Sequence, residues 1–377
     1  MSTTVLVLGA ASFLADVSSE MIFAVLPFFY LSLGIVPAAV GLIEGIAEST
    51  ASLLKVYSGW YSDKVGRRKI FVTGGYGLSA ASKVFFALAA TWLQVLAVRF
   101  VDRVGKGLRT SPRDALIADS TDAEFYGKSF GFHRAMDTSG AVLGIAVAFS
   151  LVAYFSYRRI FLIAAIPAFL SVLLIIFFVR EIRKEPKAIS FRLTFKALSR
   201  EFKIFLLIAT IFGLANFSYV FLMWKAKEIG IPEQKIIIFY LLFSVIYATF
   251  AMPAGMLSDR IQRKHTIALG YALFGFTCTG FMLAKTMPHV LLFFALYGIY
   301  YAFMEGIQKA YVADLVPAEA RGTAFGIFHT ILGIAALPAS LIAGALWQYL
   351  GASATFLYGA VLAFLAAVLL IFLQKLG

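Results

Sequence analysis

The amino-acid sequence predicts an all-α membrane protein in which twelve transmembrane helices form two pseudo-symmetric six-helix bundles. Hydrophobic residues make up 61% of the chain and charged residues 14%, with a mean hydropathy of +0.88, which is atypical of a soluble domain. The segment from Gly59 to Lys69 recurs from Gly255 to Lys264, and the aspartates within the two copies lie 196 residues apart. Two further matches, at an offset of 195 residues, pair Ala118-Asp119 with Ala313-Asp314 and Phe130-Gly131 with Phe325-Gly326. A steady offset of this size indicates two related halves.

Each apolar segment is long enough for the roughly 20 residues that a membrane helix requires. Spanning as a helix also satisfies the hydrogen bonds of the backbone within lipid. Residues 181–202 are rich in basic residues and contain Pro186, so they predict a cytoplasmic linker between a bundle at 1–180 and a bundle at 203–377. The twelve spans are predicted near residues 5–34, 36–60, 70–92, 93–118, 127–156, 159–180, 203–225, 234–257, 266–286, 289–313, 322–348 and 352–374.

Basic residues predict the orientation of the chain. They are concentrated in the loops after spans 2 and 8 and in the central linker, which places both termini in the cytoplasm and the protein in the cytoplasmic (inner) membrane. The net charge of +13 is therefore interpreted as a topology signal that contacts anionic lipid, not nucleic acid. The single cysteine, Cys278, excludes an internal disulfide and a cysteine-based metal cage, and we expect neither a metal nor a cofactor.

The loop after span 2 carries the most specific motif. Its sequence places Gly59, Asp63-Lys64 and Gly66-Arg67-Arg68 in the pattern Gly-x-x-x-Asp-(Arg/Lys)-x-Gly-Arg-(Arg/Lys). This pattern resembles the loop signature of the major facilitator superfamily, and the second copy, with Gln262 in place of the glycine, follows span 8. The resemblance covers essentially the whole chain. It implies a monomeric secondary transporter that moves a small solute by alternating access.

The resemblance also implies a conformational latch in each half. Asp63 would cap a neighbouring helix and Arg67 would pair with Asp119, the acid that ends span 4. The glycines Gly59 and Gly66 belong to the same motif, and the counterparts in the second half are Asp259, Arg263 and Asp314. Ion pairs that form in only one arrangement of the halves would bias the equilibrium between conformations. The alternative is that these charges only solvate the loops and fix topology.

Charged residues inside the predicted spans mark a candidate central site. In span 4, basic residues at positions 99, 103, 106, 109 and 113 follow helical spacing and predict one cationic stripe. Because ionisable groups in a bilayer cost at least a few kcal/mol each, they should face water, a partner or substrate. The resemblance implies that spans 1, 4, 7 and 10 line a cavity. The predicted site residues there are Asp16, Glu20, Arg103, Lys106 and Arg109.

Further candidates lie in other spans. The charged ones are Glu44, Glu48, Arg134, Asp137, Glu305 and Lys309, and the aromatic ones are Tyr219, Tyr300 and Tyr301. The competing interpretation is structural, since Asp102 with Lys106, Arg134 with Asp137 and Glu305 with Lys309 are spaced to form ion pairs within a helix.

The sequence and the resemblance together predict proton-coupled export by antiport. In this hypothesis Asp16 or Glu20 takes up a proton on one side and releases it on the other. The family's exporters carry a Gly-Pro motif in span 5, whereas this chain has Ser139-Gly140-Ala141. The cationic stripe favours an anionic or zwitterionic substrate, so uptake or facilitated transport of such a metabolite is the alternative, as is a non-transporting receptor. The sequence shows no zinc-ligand spacing, GxSxG or phosphate loop, and we expect no enzyme activity.

Overall fold

The computed structural model describes residues 2–181, 198–304, 306–317 and 321–372. These residues form α-helices joined by short loops and one 3-10 turn at Ala123–Phe125, with no strand among them, which confirms the all-α prediction. The helices are α1 Thr3–Ser32, α2 Pro37–Val65, α3 Lys69–Leu88, α4 Trp92–Asp119, α5 Tyr126–Val152, α6 Tyr157–Phe178, α7 Arg200–Ala215, α8 Val220–Glu228, α9 Glu233–Arg260, α10 Arg263–Leu283, α11 Met287–Met304, α12 Ile307–Asp314, α13 Arg321–Leu350 and α14 Ala352–Ile371.

Ten stretches of the described chain are long and apolar enough to cross a membrane. The pairs α7–α8 and α11–α12 each form one such stretch, Arg200–Glu228 and Met287–Asp314. Helices α2 and α4, of 29 and 28 residues, are long enough but carry more charge, and they complete the twelve predicted spans. Most of the predicted linker, residues 182–197, lies outside the described residues.

Local sequence determines where several helices begin. The Thr91 hydroxyl accepts a hydrogen bond from the backbone N–H of Gln94, and the Gln94 side chain accepts one from the N–H of Thr91, so α4 begins with a capping box. The hydroxyls of Ser2 and Ser199 cap α1 and α7 in the same position. These caps satisfy N–H groups that have no partner within the helix.

The described residues form two compact units. The first contains residues 2–34 and 50–181, and the second contains residues 35–49 and 198–372, so α2 contributes to both. In the first unit α1 packs on α5 and α6, and α3 packs on α4 and α6. Glycines allow the closest approaches: a side chain at Gly140 or Gly144 of α5 would meet the backbone of α1, and one at Gly105 of α4 would meet the backbone of α3.

In the second unit α10 packs on α11 and α14, and α9 packs on α11. The first part of α2 lies against α13, where the Ser49 hydroxyl donates a hydrogen bond of 2.6 Å to the Gly333 carbonyl. Cys278 is buried in α10. Aromatic rings fill much of the interior; for example, Phe212 and Tyr271 stack with their centroids 3.9 Å apart.

One of the transmembrane stretches in the second unit is interrupted within its described residues. Helix α7 ends at Ala215 and α8 begins at Val220. At this interruption the Tyr358 hydroxyl donates a hydrogen bond of 2.8 Å to the Leu214 carbonyl, so a group freed by the break is satisfied by α14. Interrupted membrane helices are typical of transporters, in which they line solute sites.

Candidate functional site

Five basic side chains lie along α4, and three of them are almost fully buried in the first unit. Arg99 is 1% exposed, Arg103 2% and Arg109 6%, whereas Lys106 and Arg113 are half-buried. Their helix packs mainly on α3 and also contacts α1 and α5. Charge in such an interior is tolerated only with acids, aromatic faces, water or ligand nearby.

Asp102 is the acid on which two of these buried cations, Arg99 and Arg103, converge with the buried Lys83 of α3. Its Oδ1 lies 2.8 Å from Lys83 Nζ, and its Oδ2 lies 3.8 Å from Arg99 Nη1 and 3.9 Å from Arg103 Nε. Two hydroxyls also donate to Oδ1, from Ser79 at 2.7 Å and Ser82 at 3.3 Å. One carboxylate therefore interacts with three buried positive charges and accepts hydrogen bonds from two hydroxyls.

The ring of Phe23 on α1 lies beside the same three cations. Its centroid is 4.5 Å from the guanidinium carbon of Arg99 and 4.8 Å from that of Arg103. Lys83 Nζ lies 5.9 Å from the same centroid. At these distances the ring attracts each cation through its quadrupole.

Arg113 is the centre of a second polar cluster one turn beyond Arg109. Its guanidinium donates to the Ser12 hydroxyl at 2.8 Å and to Asp114 at 2.9 Å, and it lies 4.0 Å from Asp137. Asp137 in turn lies 3.5 Å from His133 Nδ1. This cluster joins α1, α4 and α5, and it reaches α3 because the Ser12 and Tyr76 hydroxyls are 3.0 Å apart.

The structure brings most of the predicted central site together. Asp16 is within electrostatic range of Asp137, Arg109, Lys106 and Glu20. Arg103 lies in the Asp102 cluster described above. The other charged candidate of α5, Arg134, is exposed. Carboxylates of α1 and α5 thus face cations of α4 within the first unit.

The remaining candidates belong to the second unit. Glu44 is buried and Glu48 exposed in the part of α2 that packs on α13, and Lys309 is exposed on α12. Glu305 lies outside the described residues. Three tyrosines join the aromatic interior: Tyr219 stacks on Tyr240 at 5.2 Å, and the rings of Tyr300 and Tyr301 are 5.3 Å apart.

The loop between α2 and α3 contains a three-residue ion-pair network. Arg68 lies 2.9 Å from Asp63 and 2.8 Å from Asp119 at the end of α4. The family resemblance implies this pairing for Arg67, and the structure corrects it, because Gly66 turns the chain with φ +69° and leaves Arg67 exposed. The next residue, Arg68, then precedes the first turn of α3 and reaches both acids.

Two other contacts build this loop. Gly59 lies so close to Ser111 of α4 that an added Cβ would contact it at 3.0 Å. The Glu181 carboxylate accepts hydrogen bonds from the backbone N–H groups of Arg68 at 2.9 Å and Lys69 at 3.1 Å. A carboxylate at a helix N-terminus is favourable, so the acid that caps α3 is Glu181, at the start of the predicted linker.

The counterpart loop of the second unit makes the corresponding pairs with Arg263. This side chain lies 2.6 Å from Asp314 and 3.1 Å from Asp259. The second network is more accessible to solvent, because the Asp314 side chain is 48% exposed and that of Asp119 is 8% exposed. Screening by solvent should therefore weaken the second network more.

Sequence reasoning missed three residues of these clusters. Lys83 is an isolated lysine in an apolar span, a signal that by default indicates function. The offset between halves, which is 196 at Asp63 but 195 at Asp119, gave a partial signal for Arg68, because an offset of 195 aligns Arg68 with Arg263 and an offset of 196 aligns Arg67 with it. Phe23 carried no signal, since the chain has 38 phenylalanines. Among the described residues, no group of three His, Cys, Asp or Glu side chains could hold a metal.

Comparison with known proteins identifies the family. The family model described as the Major Facilitator Superfamily matches residues 8–232 and 204–376. The chain is 43% identical to an uncharacterized MFS-type transporter of Methanocaldococcus jannaschii, over 99% of this chain and 95% of that one. It is 23% identical to the cis,cis-muconate transport protein of Acinetobacter baylyi, covering 80% and 77% of the two chains. It is also 23% identical to the quinolone resistance protein NorA of Staphylococcus aureus, covering 63% and 62%.

Solved structures share the fold. The nucleoside transporter NupG superposes with a TM-score of 0.83 at 15% identity, over 99% of both chains. The human organic anion transporter MFSD10 superposes with a TM-score of 0.69 at 18% identity, over 98% of this chain and 99% of that one. With the transmembrane helices and the paired loop networks, these matches lead to one conclusion: the chain belongs to the Major Facilitator Superfamily and is a multi-pass membrane transporter of a small solute.

Proposed function

We propose that the protein carries a small organic anion across the cytoplasmic membrane by alternating access, together with protons. The observation that carries this proposal is the row of buried cations on α4, of which Arg99, Arg103 and Arg109 are the most buried. Guanidinium groups bind carboxylates through paired hydrogen bonds, and more strongly away from water. The names of two similar proteins, a muconate transporter and an organic anion transporter, support the same substrate class.

Coupling to protons follows from electrostatic competition. Asp16 interacts with Lys106 and Arg109, so its carboxylate competes with a substrate anion for these cations. Protonation of Asp16 removes the competitor, and the proton and the anion therefore bind cooperatively. Cooperative binding of this kind produces symport, in which both move in the same direction. Glu20, one turn further along α1, is the second proton carrier of the proposal.

The test uses purified protein in liposomes with labelled cis,cis-muconate as the probe. An inward proton gradient should accelerate muconate uptake by the wild type. Asp16→Asn and Glu20→Gln should remove this acceleration, because neither amide can carry the proton. Glu124→Gln changes an exposed acid of the 3-10 turn and serves as the matched control. If uptake by both variants depends on the proton gradient as it does in the wild type, these acids do not take part in coupling. If the wild type transports no member of a panel of organic acids, the proposed substrate class is wrong.

Proton-coupled export by antiport is the second candidate. It is favoured by the aromatic interior of the second unit, which includes the stacked Tyr219 and Tyr240, and by similarity to a quinolone resistance protein. An amphipathic cation would compete with the proton for Asp16, and competition of this kind produces exchange. Thermal-shift screening with organic acids and lipophilic cations at two pH values distinguishes the candidates, since stabilisation by acids supports the first and stabilisation by cations the second.

The proposal also places both termini in the cytoplasm and takes the monomer as the transporting unit. Basic loops favour cytoplasmic termini, and contact of these loops with anionic lipid follows from their charge. Residues 1–180 and 203–377 are the two moving bundles of the proposal, and a monomer contains both. Reporter fusions at each terminus test the orientation; a periplasmic signal from either fusion would contradict it.

A further inference from the structure

His133 and Asp137 are neighbouring polar residues of α5, and each has a buried atom without a hydrogen-bond partner in the described part of the chain. His133 is 4% exposed, and its Nε2 is one of these atoms. Oδ1 of Asp137 is the other, on a side chain that is 15% exposed. Unsatisfied polar atoms are costly in a protein interior, so such a pair requires a functional explanation.

The geometry of the pair defines which nitrogen can take up a proton. Nδ1 of His133 lies 3.5 Å from Oδ2 of Asp137, one helical turn away. A carboxylate oxygen only accepts hydrogen bonds, so the hydrogen of the neutral imidazole is assigned to Nδ1. Nε2 then carries the lone pair and is the basic atom of the ring. The Asp137 carboxylate stabilises the imidazolium that forms when Nε2 is protonated.

The charges around the imidazole act in opposite directions. The ionisable groups in its electrostatic range are Arg113 and Asp114 of α4, and Arg134 and Asp137 of α5. Burial and the two arginines favour the neutral ring, whereas the two acids favour the charged ring. Arg113 lies 2.9 Å from Asp114 but 4.0 Å from Asp137, and the second distance is longer than a hydrogen bond. The imidazole therefore approaches Asp137 more closely than the guanidinium does.

The pair lies between Asp16 and the ends of the helices that carry the basic loops. His133 is about two turns inside the start of α5. Asp16 of α1 is within electrostatic range of Asp137, and it is one turn deeper than Ser12, which accepts the hydrogen bond of 2.8 Å from Arg113. From α3, the hydroxyl of Tyr76 lies 3.0 Å from that of Ser12. Because the proposed topology places the starts of α1, α3 and α5 in the cytoplasm, the pair separates Asp16 from the cytoplasm.

We propose that His133 receives at Nε2 the proton that Asp16 releases and passes it to the cytoplasm, with Asp137 as the positioning residue of this relay. The inference rests on the proposed function, because it extends the route of the co-transported proton. One O–H bond breaks at Asp16 and one N–H bond forms at Nε2, with water as the carrier. That N–H bond breaks again when the proton passes to cytoplasmic water. The imidazolium offsets the charge of Asp137, which favours the ionised form of Asp16 and so promotes the transfer.

The experiment compares His133→Asn, Asp137→Asn and His289→Asn in liposomes, with the organic acid that the wild type carries best. Asparagine at position 133 keeps an N–H donor near the place of Nδ1 but cannot take up a proton. His289 is exposed near the start of α11, so His289→Asn is the matched control. Two rates are measured for each protein. Uptake driven by an inward proton gradient requires release of the proton inside, whereas exchange of labelled for unlabelled acid at equal pH does not.

The relay predicts that only one of the two rates falls. His133→Asn should lower gradient-driven uptake about tenfold or more and leave the rate of exchange within about twofold of the wild type, since only the proton transfer is impaired. Asp137→Asn should show the same separation with a smaller loss, because the imidazole remains but its charged form loses a partner. His289→Asn should change neither rate.

Nitrogen-15 NMR of the histidine-labelled protein provides a measurement that does not depend on transport. The chain has four histidines, so the signal that is lost in His133→Asn identifies His133. In the neutral wild-type ring this signal should have the chemical shifts of the Nδ1–H tautomer, because that hydrogen faces Asp137.

Three results would overturn the inference while the proposed function stands. The first is gradient-driven uptake by His133→Asn that equals that of the wild type. The second is an equal loss of uptake and exchange, which would indicate a structural role. The third is an Nε2–H tautomer for the neutral His133 ring. A wild type in which a proton gradient does not accelerate the uptake of any organic acid would overturn the proposed function and this inference together.

Discussion

Replacing Asp102 by asparagine should destabilise the first unit more than any other single change in its charge cluster. The carboxylate is buried and faces Lys83, Arg99 and Arg103, with the closest contact, to Lys83, at 2.8 Å. Asparagine keeps the volume but removes the carboxylate that these three cations share. Removing one partner of a buried ion pair costs about 3–5 kcal/mol, because the remaining charge stays desolvated and uncompensated.

The cost of Asp102→Asn is to be compared with that of Lys83→Met, which removes a cation of the same cluster. This change also breaks the 2.8 Å ion pair, but it leaves the carboxylate with two arginines and lowers the number of buried cations. We therefore expect a cost of only about 1–2 kcal/mol. The double variant should be more stable than Asp102→Asn alone, since it removes one of the uncompensated charges.

The assay is equilibrium unfolding in mixed micelles, followed by far-ultraviolet circular dichroism as the fraction of denaturing detergent increases. The free energies of unfolding of the wild type, the two single variants and the double variant form a thermodynamic cycle. Equal costs for Lys83→Met and Asp102→Asn, or a double variant less stable than Asp102→Asn, would refute the reasoning that positive charge is in excess in this cluster.

Three further predictions concern the loops and the helix contacts. Arg68→Gln should lower transport rate and thermal stability, whereas Arg67→Gln should change neither, as initial rates and melting temperatures of the two variants will test. Arg263→Gln should cost less than Arg68→Gln, by about 1 kcal/mol, because its partners are more exposed; a larger cost in unfolding experiments would contradict this. Gly144→Leu should destabilise the protein by more than about 2 kcal/mol, because its side chain would meet the backbone of α1; a melting temperature equal to that of the wild type would show that the two helices can separate.

Most of the helices were predictable because apolar length alone defines a membrane span. The segment predicted at 93–118 is α4, Trp92–Asp119, although this helix is the most charged. The interruption between α7 and α8 was not predictable in the same way, since the hydropathy of residues 203–225 continues through it. It is stabilised by a hydrogen bond from Tyr358 to Leu214, 144 residues apart, and a contact at that separation is invisible to a local pattern.

The candidate site was predictable in its charges and not in its contacts. Helical spacing identified the basic stripe of α4, and the acids of α1 and α5 were recognisable as ionisable groups in apolar spans. Which side chains meet depends on how the helices rotate and pack. The sequence therefore suggested that Asp102 pairs with Lys106 of its own helix, whereas in the structure its short ion pair is with Lys83 of α3. The spacing of residues along one helix does not indicate which side chains of a second helix will contact them.

The burial of Cys278 has a practical consequence for measuring motion in this transporter. It is the one thiol of the chain, and water does not reach it in the folded state, so an aqueous maleimide should leave the native protein unlabelled. A cysteine introduced at an exposed loop position would then be modified alone. Pairs of such positions could carry spin labels or fluorophores on the natural background, and the distances between them would report directly on the conformations that the protein visits during its cycle.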